Sequence, residues 1–404
     1  MIAVPCLCRA VACAGALGAM SAGPQWAHTV ARSPATTDSL TLALDEDLRI
    51  GSERDAALRF ASVGAVRVRD DGTIVALTLT REGWTLRVHD RDGKARWSRS
   101  FPAAEPPRSL ALHGDTIAVI TGSGQSAHAL FLQIGREKPL SSVAVPTEPV
   151  RDVSMLGAVD GKWLYVDAPN AIGGGFAGDI PLTYNVRRID LRTGTSSAAM
   201  VWSDSTSRPV VPHPRAGVSW TIALSPPWLS RPSLSATSTR VLASPGMSYD
   251  IGLFRVDGSL DRHVSRGTLS RPVSAELRKA WIAGWVSSLA GKLYSDSVRR
   301  TVAAFPAPDA VPAVRALLAA YDGSVAVVRG DLDADPVAGG DSVRVDIFRS
   351  DGTFRGTATL PPGVSVRAID GDHIVAAVTD PRQSAGPIEG RAQPLVQIVR
   401  YRLR

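Results

Sequence analysis

Cysteine is almost missing from this sequence: Cys6, Cys8 and Cys13 are the only three, and none follows position 13. The body of the protein therefore has no thiolate zinc site, no cysteine nucleophile and no internal disulfide. Asparagine occurs only at Asn170 and Asn185, and lysine supplies just five of the 45 basic residues, so arginine carries nearly all the positive charge. The seven histidines never pair at metal-ligand spacing, and neither H-E-x-x-H nor G-x-S-x-G occurs. Beyond the N-terminal stretch, no apolar run approaches the roughly 18 residues that a membrane-spanning helix needs.

What is there is a strand grammar. Residues 66–97, VRVRDDGTIVALTLTREGWTLRVHDRDGKARW, alternate apolar and polar positions around Asp71-Gly72 and Asp92-Gly93. Asp-Gly between alternating runs marks a tight hairpin, because two-residue primed turns need positive φ and glycine supplies it without steric cost. The stretch is expected to be a four-stranded antiparallel meander. Such a sheet cannot bury both faces alone, so recurrence along the chain implies stacking against copies of itself.

Five further units follow, about 107–145, 151–202, 218–264, 311–360 and 364–403, with turns at Gly114-Asp115, Asp160-Gly161, Asp257-Gly258, Asp322-Gly323, Asp351-Gly352 and Gly371-Asp372. In the fourth, Val218–Ser225 is expected to be the first strand and Pro226–Thr239 a Pro/Ser-rich loop. The last unit supplies only three strands. An N-terminal strand at Leu40–Leu44 would complete it, leaving no long unpaired edge. The expectation is an all-β, six-bladed β-propeller over 40–404 with four-stranded antiparallel blades and an N-terminal strand closing the last one. A single helix is inserted at about 272–292, capped by Ser274 and with Leu277, Trp281, Trp285 and Leu289 on one stripe.

Ahead of the propeller, MIAVPCLCRAVACAGALGAMSAG has one arginine, no acid and a run of small and apolar residues. It is expected to be a signal peptide over 1–27, cleaved between Ala22 and Ala27, with a polar linker over 28–39. Ala10-Val11-Ala12-Cys13 has the form of a lipoprotein box, but too few apolar residues separate Arg9 from Cys13; a lipid anchor at Cys13 is the second reading. The product is thus expected to be secreted or periplasmic. Its net charge of +7 is dispersed along strands and turns, as at Arg67, Arg69, Arg187 and Arg188, and reads as solvated sheet faces, not a nucleic-acid surface.

The unit order, the Leu48-Ile50-Gly51 lead-in, the apolar-Asp-x-x-Gly endings such as Val88–Gly93 and Phe348–Gly352, the helix after the fourth unit and the terminal Val399–Leu403 resemble secreted bacterial six-bladed propellers of the NHL-like group. The resemblance spans about residues 40–404 and carries no catalytic signature. It implies the fold and, at most, a binding role.

Two local patterns invite chemistry. Gly173–Gly178 has the letters G-x-G-x-x-G, but Asp179-Ile180-Pro181 follows where a dinucleotide site needs a helix. Asp331, Asp333, Asp335 and Asp341 suggest a calcium loop, but Pro336 and Ser342 stand where an EF-hand loop needs glycine and glutamate. The expected function is a non-enzymatic binding module, monomeric and without cofactor, that meets a protein or glycan through loops on one face, with Trp220, Trp228, Trp281 and Trp285 as contact anchors or as core. The alternative is a propeller hydrolase or lyase with a carboxylate-bound divalent metal in its central channel; two asparagines, both in one unit, argue against such a channel and leave carboxylates alone to make it. Because the acidic loop lacks the calcium-loop ligand pattern, millimolar calcium should leave the melting temperature unchanged; a rise of several degrees in a thermal melt would show the opposite.

Overall fold

The computed structural model describes residues 30–32, 40–145, 151–169, 182–204, 210–212, 221–223, 233–266, 272–290, 310–330, 342–388 and 391–404. They build six antiparallel blades in chain order. Blade 1 is Ser62–Val68, Ile74–Thr80, Gly83–His89 and Ala95–Ser100; blade 2 is Pro107–His113, Thr116–Thr121, His128–Gln133 and Ser141–Ala144. Blade 3 is Arg151–Val159, Lys162–Pro169, Leu182–Asp190 and Thr195–Asp204; blade 4 is Ser233–Ala236, Val241–Ser244, Asp250–Phe254 and Leu260–Ser265. Blade 5 is Val314–Ala319, Val325–Arg329, Val343–Phe348 and Phe354–Leu360. Blade 6 is Val364–Asp370, His373–Ile388, Arg391–Leu403 and, from the N-terminal side, Leu44–Ile50.

Each blade is apolar on both faces, and the second strands show why. In blade 2, Ile117 and Val119 join the core shared with blade 1, while Ala118 and Ile120 join the core shared with blade 3. In blade 5, Val325 and Val327 face blade 4, and Ala326 and Val328 face blade 6. Side chains two apart share a face, so a strand buried on both faces reads as an unbroken apolar run. A sixth core, with Val66, Ile74 and Ala76 of blade 1 against Val375, Val396 and Ile398 of blade 6, brings the ring back to its start.

The closing strand is Leu44–Ile50, not Leu40–Leu44 as the alternation suggested: Ile50 pairs with Ile398 and Leu44 with Leu403. Thr41–Leu42 runs instead parallel to the outer strand of blade 5, and Val30–Arg32 parallel to that of blade 4. Alternation is equally good for both stretches; electrostatics and packing select between them. Asp47 accepts from Arg400 at 3.0 and 3.2 Å, and Arg400 also donates to the carbonyl of Arg91 in the last turn of blade 1. In that turn Gly93 has φ 82°, and a Cβ there would lie 2.7 Å from Leu48. The glycine that shapes the hairpin also makes room for the closing strand.

Blade 4 holds a second correction. Its first strand is Ser233–Ala236, inside the stretch expected to be a loop, while Thr221–Ala223 pairs with Val210–Pro212 in a separate hairpin. Ser-Leu-Ser-Ala has low strand propensity, but the Ser233 and Ser235 hydroxyls accept the amides of Leu317 and Ala319 in blade 5, so tertiary partners override propensity. The helix is Ala275–Ala290, with the Ser274 hydroxyl accepting the Leu277 amide at 3.1 Å as an N-cap should.

Blade-ending turns are tied by their own carboxylates: Asp190 accepts the amide of Arg192, Asp257 that of Ser259 and Asp351 that of Thr353. The Ser259 hydroxyl at Asp257, the Thr353 hydroxyl at Asp351 and the Arg192 amide at Asp190 contribute most to holding the three carboxyls below the usual range, with the other amides adding to it. Between blades 4 and 5, Asp346 is fully buried and accepts from Tyr249 at 2.9 Å and Thr357 at 2.6 Å, with the Arg266 guanidinium at 2.8 Å. Arg266 also lies over the Phe354 ring at 4.1 Å. Burial first, and the Asp346 charge second, push the Tyr249 phenol up. His89 is only 1% exposed; its Nδ1 hydrogen bonds to the Gly93 carbonyl, and its buried Nε2 has no partner among the described residues.

Replacing Asp346 by alanine leaves the Arg266 charge buried beside unpaired hydroxyls and should cost about 3–5 kcal/mol in a urea unfolding titration. Burial also holds the His89 imidazole below its ordinary value of 6.5, against a smaller raising effect of the Gly93 carbonyl. The unfolded state then takes up protons first, so the contribution of His89 is complete above that ordinary value and is lost as pH falls towards the lower folded one. Urea midpoints between about pH 7.5 and about pH 5 should therefore fall for the native protein and flatten in His89→Gln. The turn aspartates, depressed from 3.8, act only at more acid pH.

Candidate functional site

The first strand of every blade lines one axial cavity of about 240 Å³. These strands are locked to one another by hydroxyls as well as by packing: besides Ser233 and Ser235, Ser109 of blade 2 accepts the amide of Met155 in blade 3 at 2.9 Å. Five of the six carry a register shift against their second strand, between Val63 and Val66, Pro107 and Ser109, Met155 and Gly157, Val314 and Ala316, and Val366 and Ala368. A bulge bends a strand and re-aims side chains, which is how the first strand of these five sheets is turned along the axis. Arg367 is the extra residue in blade 6.

The cavity is bounded by main chain, by small side chains including Gly157, Ala158, Ser235 and Thr237, and by larger apolar ones including Leu112, Leu234, Leu317 and Ile369, together with the guanidinium-bearing residues Arg67 of blade 1 and Arg367 of blade 6. No aspartate, glutamate or histidine is among its described lining residues. Arg67 Nη1 donates to the Val66 carbonyl at 2.8 Å, and Arg367 Nε is buried without an acceptor among the described residues. Burial pushes the Arg67 guanidinium down to about 10 and lowers that of Arg367 as well. Tyr321, which follows the first strand of blade 5, reaches His113 at the end of the first strand of blade 2, with ring centroids 6.0 Å apart. Blades 2 and 5 stand opposite one another in a six-membered ring, so this pair spans the axis. His113 also meets the edge of Trp163 at 6.1 Å, and Trp163 that of Phe131 at 5.3 Å, which anchors the span in the core between blades 2 and 3.

The residues singled out by sequence lie elsewhere. Trp220, Trp228, Asp331, Asp333 and Asp335 fall outside the described residues, as does the side chain of Trp285. Trp281 is 1% exposed, which puts it on the core side of the two readings it was given. No group of three or more His, Cys, Asp or Glu side chains is placed to hold a metal ion among the described residues, and no described helix is long and apolar enough to cross a membrane. Arg67, read from sequence as one more solvated strand position, lines the cavity. Its neighbour Arg69 does sit on the outside, paired with Asp115 at 2.7 Å. The one signal available was position: both cavity arginines belong to the first strand of their unit.

No protein-family model and none of the curated proteins matches this chain. Among solved structures it is similar to a member of the DUF4221 family from Bacteroides vulgatus, with TM-score 0.50 and 8% identity over 90% of this chain and 98% of that one. It is also similar to a candidate exported protein from Bacteroides fragilis, with TM-score 0.45 and 12% identity over 92% and 98%. An oligogalacturonate lyase in complex with manganese matches with TM-score 0.41 and 12% identity over 89% and 96%. At such identities the first likeness is one of fold alone.

Proposed function

We propose that this protein is an exported, non-enzymatic binding propeller that takes its ligand at the axis. The observation that carries the reading is the donor set of the axial cavity: guanidinium, hydroxyl and main-chain groups, with no carboxylate or imidazole among the described lining residues to act as general acid, general base or metal ligand. The alternative of a hydrolase or lyase with a divalent ion in the channel asks for converging oxygen or nitrogen donors. Two arginines at the same place repel such an ion. Export rests on the N-terminal sequence, and the monomeric state on the fact that the ring already buries both faces of every blade within one chain.

Of the contact loops expected from sequence, 172–181, 226–239 and 331–341, the first and last and residues 226–232 of the second lie outside the described residues, and a protein or glycan partner met through them belongs to the same reading. After dialysis, elemental analysis of the purified protein should find only substoichiometric divalent metal. A tightly held equivalent of manganese, calcium or zinc would overturn the binding reading in favour of the enzyme.

A further inference from the structure

The binding reading leaves the ligand open, and the arginines narrow it. Several arginines drawn out of water elsewhere among the described residues are given a carboxylate, while Arg87 is held by the Thr78 hydroxyl and the Phe60 ring. Arg266 has Asp346, Arg400 has Asp47 and Arg240 has Asp261, each within 3.0 Å. Arg67 and Arg367, both half-buried, line one cavity together and have no carboxylate partner among the described residues. Taking a guanidinium out of water without a counter-charge is costly, and burial accordingly lowers the pKa of both groups.

We infer that Arg67 and Arg367 make the axial cavity a receptor for a small organic anion, in which the ligand supplies the counter-charge that the fold withholds. The inference rests on the binding reading above and specifies its ligand class. Each guanidinium presents donors in a planar fork that matches a carboxylate or a phosphate, the chemistry the two ligand sources share. The two forks come from the first strands of neighbouring blades, Ser62–Val68 and Val364–Asp370, joined by the core in which Val66 and Val68 meet Ala368. They are thus held by rigid elements, not by loops. The Ser235 hydroxyl accepts from Ala319 and keeps its own proton to donate. The cavity of about 240 Å³ lies just below the roughly 300 Å³ at which pockets for drug-sized ligands begin. That suits a dicarboxylic acid or a single acidic sugar.

Isothermal titration and thermal melts of the full mature chain with galacturonate, citrate, inorganic phosphate and, as a neutral control, glucose test this directly. At least one anion should bind with one-to-one stoichiometry and weaken as salt is added, while glucose should give no signal. Galacturonate or citrate binding without phosphate assigns a carboxylate ligand; the reverse assigns a phosphate. Arg67→Met and Arg367→Met should each weaken binding by about tenfold, the loss of one charge-assisted contact, and the double variant should abolish it. Without ligand, the variants should melt at the native temperature or above, because each removes an unpaired desolvated charge. A fall of several degrees would reveal an internal partner and overturn the inference. So would an anion held equally by native protein and double variant, or the absence of binding by every anion tested. Glucose or a glycan binding independently of both arginines would sink the anion assignment and leave the binding reading standing, whereas a stoichiometric metal would sink the binding reading itself.

Discussion

Everything in this molecule depends on one packing constraint: a four-stranded sheet with two apolar faces must be covered on both sides by another sheet. A stack of such sheets ends in two bare faces unless it curls round and meets itself. Here the meeting is the layer in which Val66, Ile74 and Ala76 face Val375, Val396 and Ile398. It exists because Leu44–Ile50 completes the sixth blade from the far end of the chain, and because the Asp47–Arg400 pair reaches on to the turn at Arg91. Closure therefore joins apolar burial with a charge pair that fixes register, since a slip by one residue would turn Ile50 out of its core and part Asp47 from Arg400.

The same closure creates the site. Once six first strands surround an axis, their inward side chains no longer face bulk water, although the strand pattern is the same as that of a solvated face. Most of the molecule resolves the resulting electrostatic problem internally, as at Arg266 and Asp346, or by keeping the arginine outside, as at Arg69. The axis is treated differently. Its two guanidiniums meet main chain, hydroxyls and an aromatic span between Tyr321 and His113, and the charge is left for something else to neutralise.

Much of the fold was legible because its punctuation is local chemistry. Asp-Gly hairpins are decided within four residues, and the aspartates that accept the amides of their own turns are found where the pattern puts them, at Asp190, Asp257 and Asp351. Where a decision was not local, the reading slipped. Leu40–Leu44 and Leu44–Ile50 both alternate acceptably, and only the partner strand Arg391–Leu403 prefers the second. Ser233–Ala236 does not look like a strand, and becomes one because neighbouring amides need its hydroxyls. The site was less legible than the fold: the tryptophans and acidic loop drew attention by their composition, whereas the arginines at the axis look like any others.

By itself the sequence determined the repeat, the four-strand unit, the count of six and the lack of cysteine ligands beyond position 13, because each follows from residue spacing or residue supply. It could not determine which arginines are solvated. Arg67 lies on the first strand of blade 1 and Arg69 just past its end, with the same side chain and the same alternation; Arg69 pairs with Asp115 and Arg67 lines the axial cavity. Solvation depends on which blades come round to enclose a strand, and that information resides in contacts hundreds of residues apart, not in the strand.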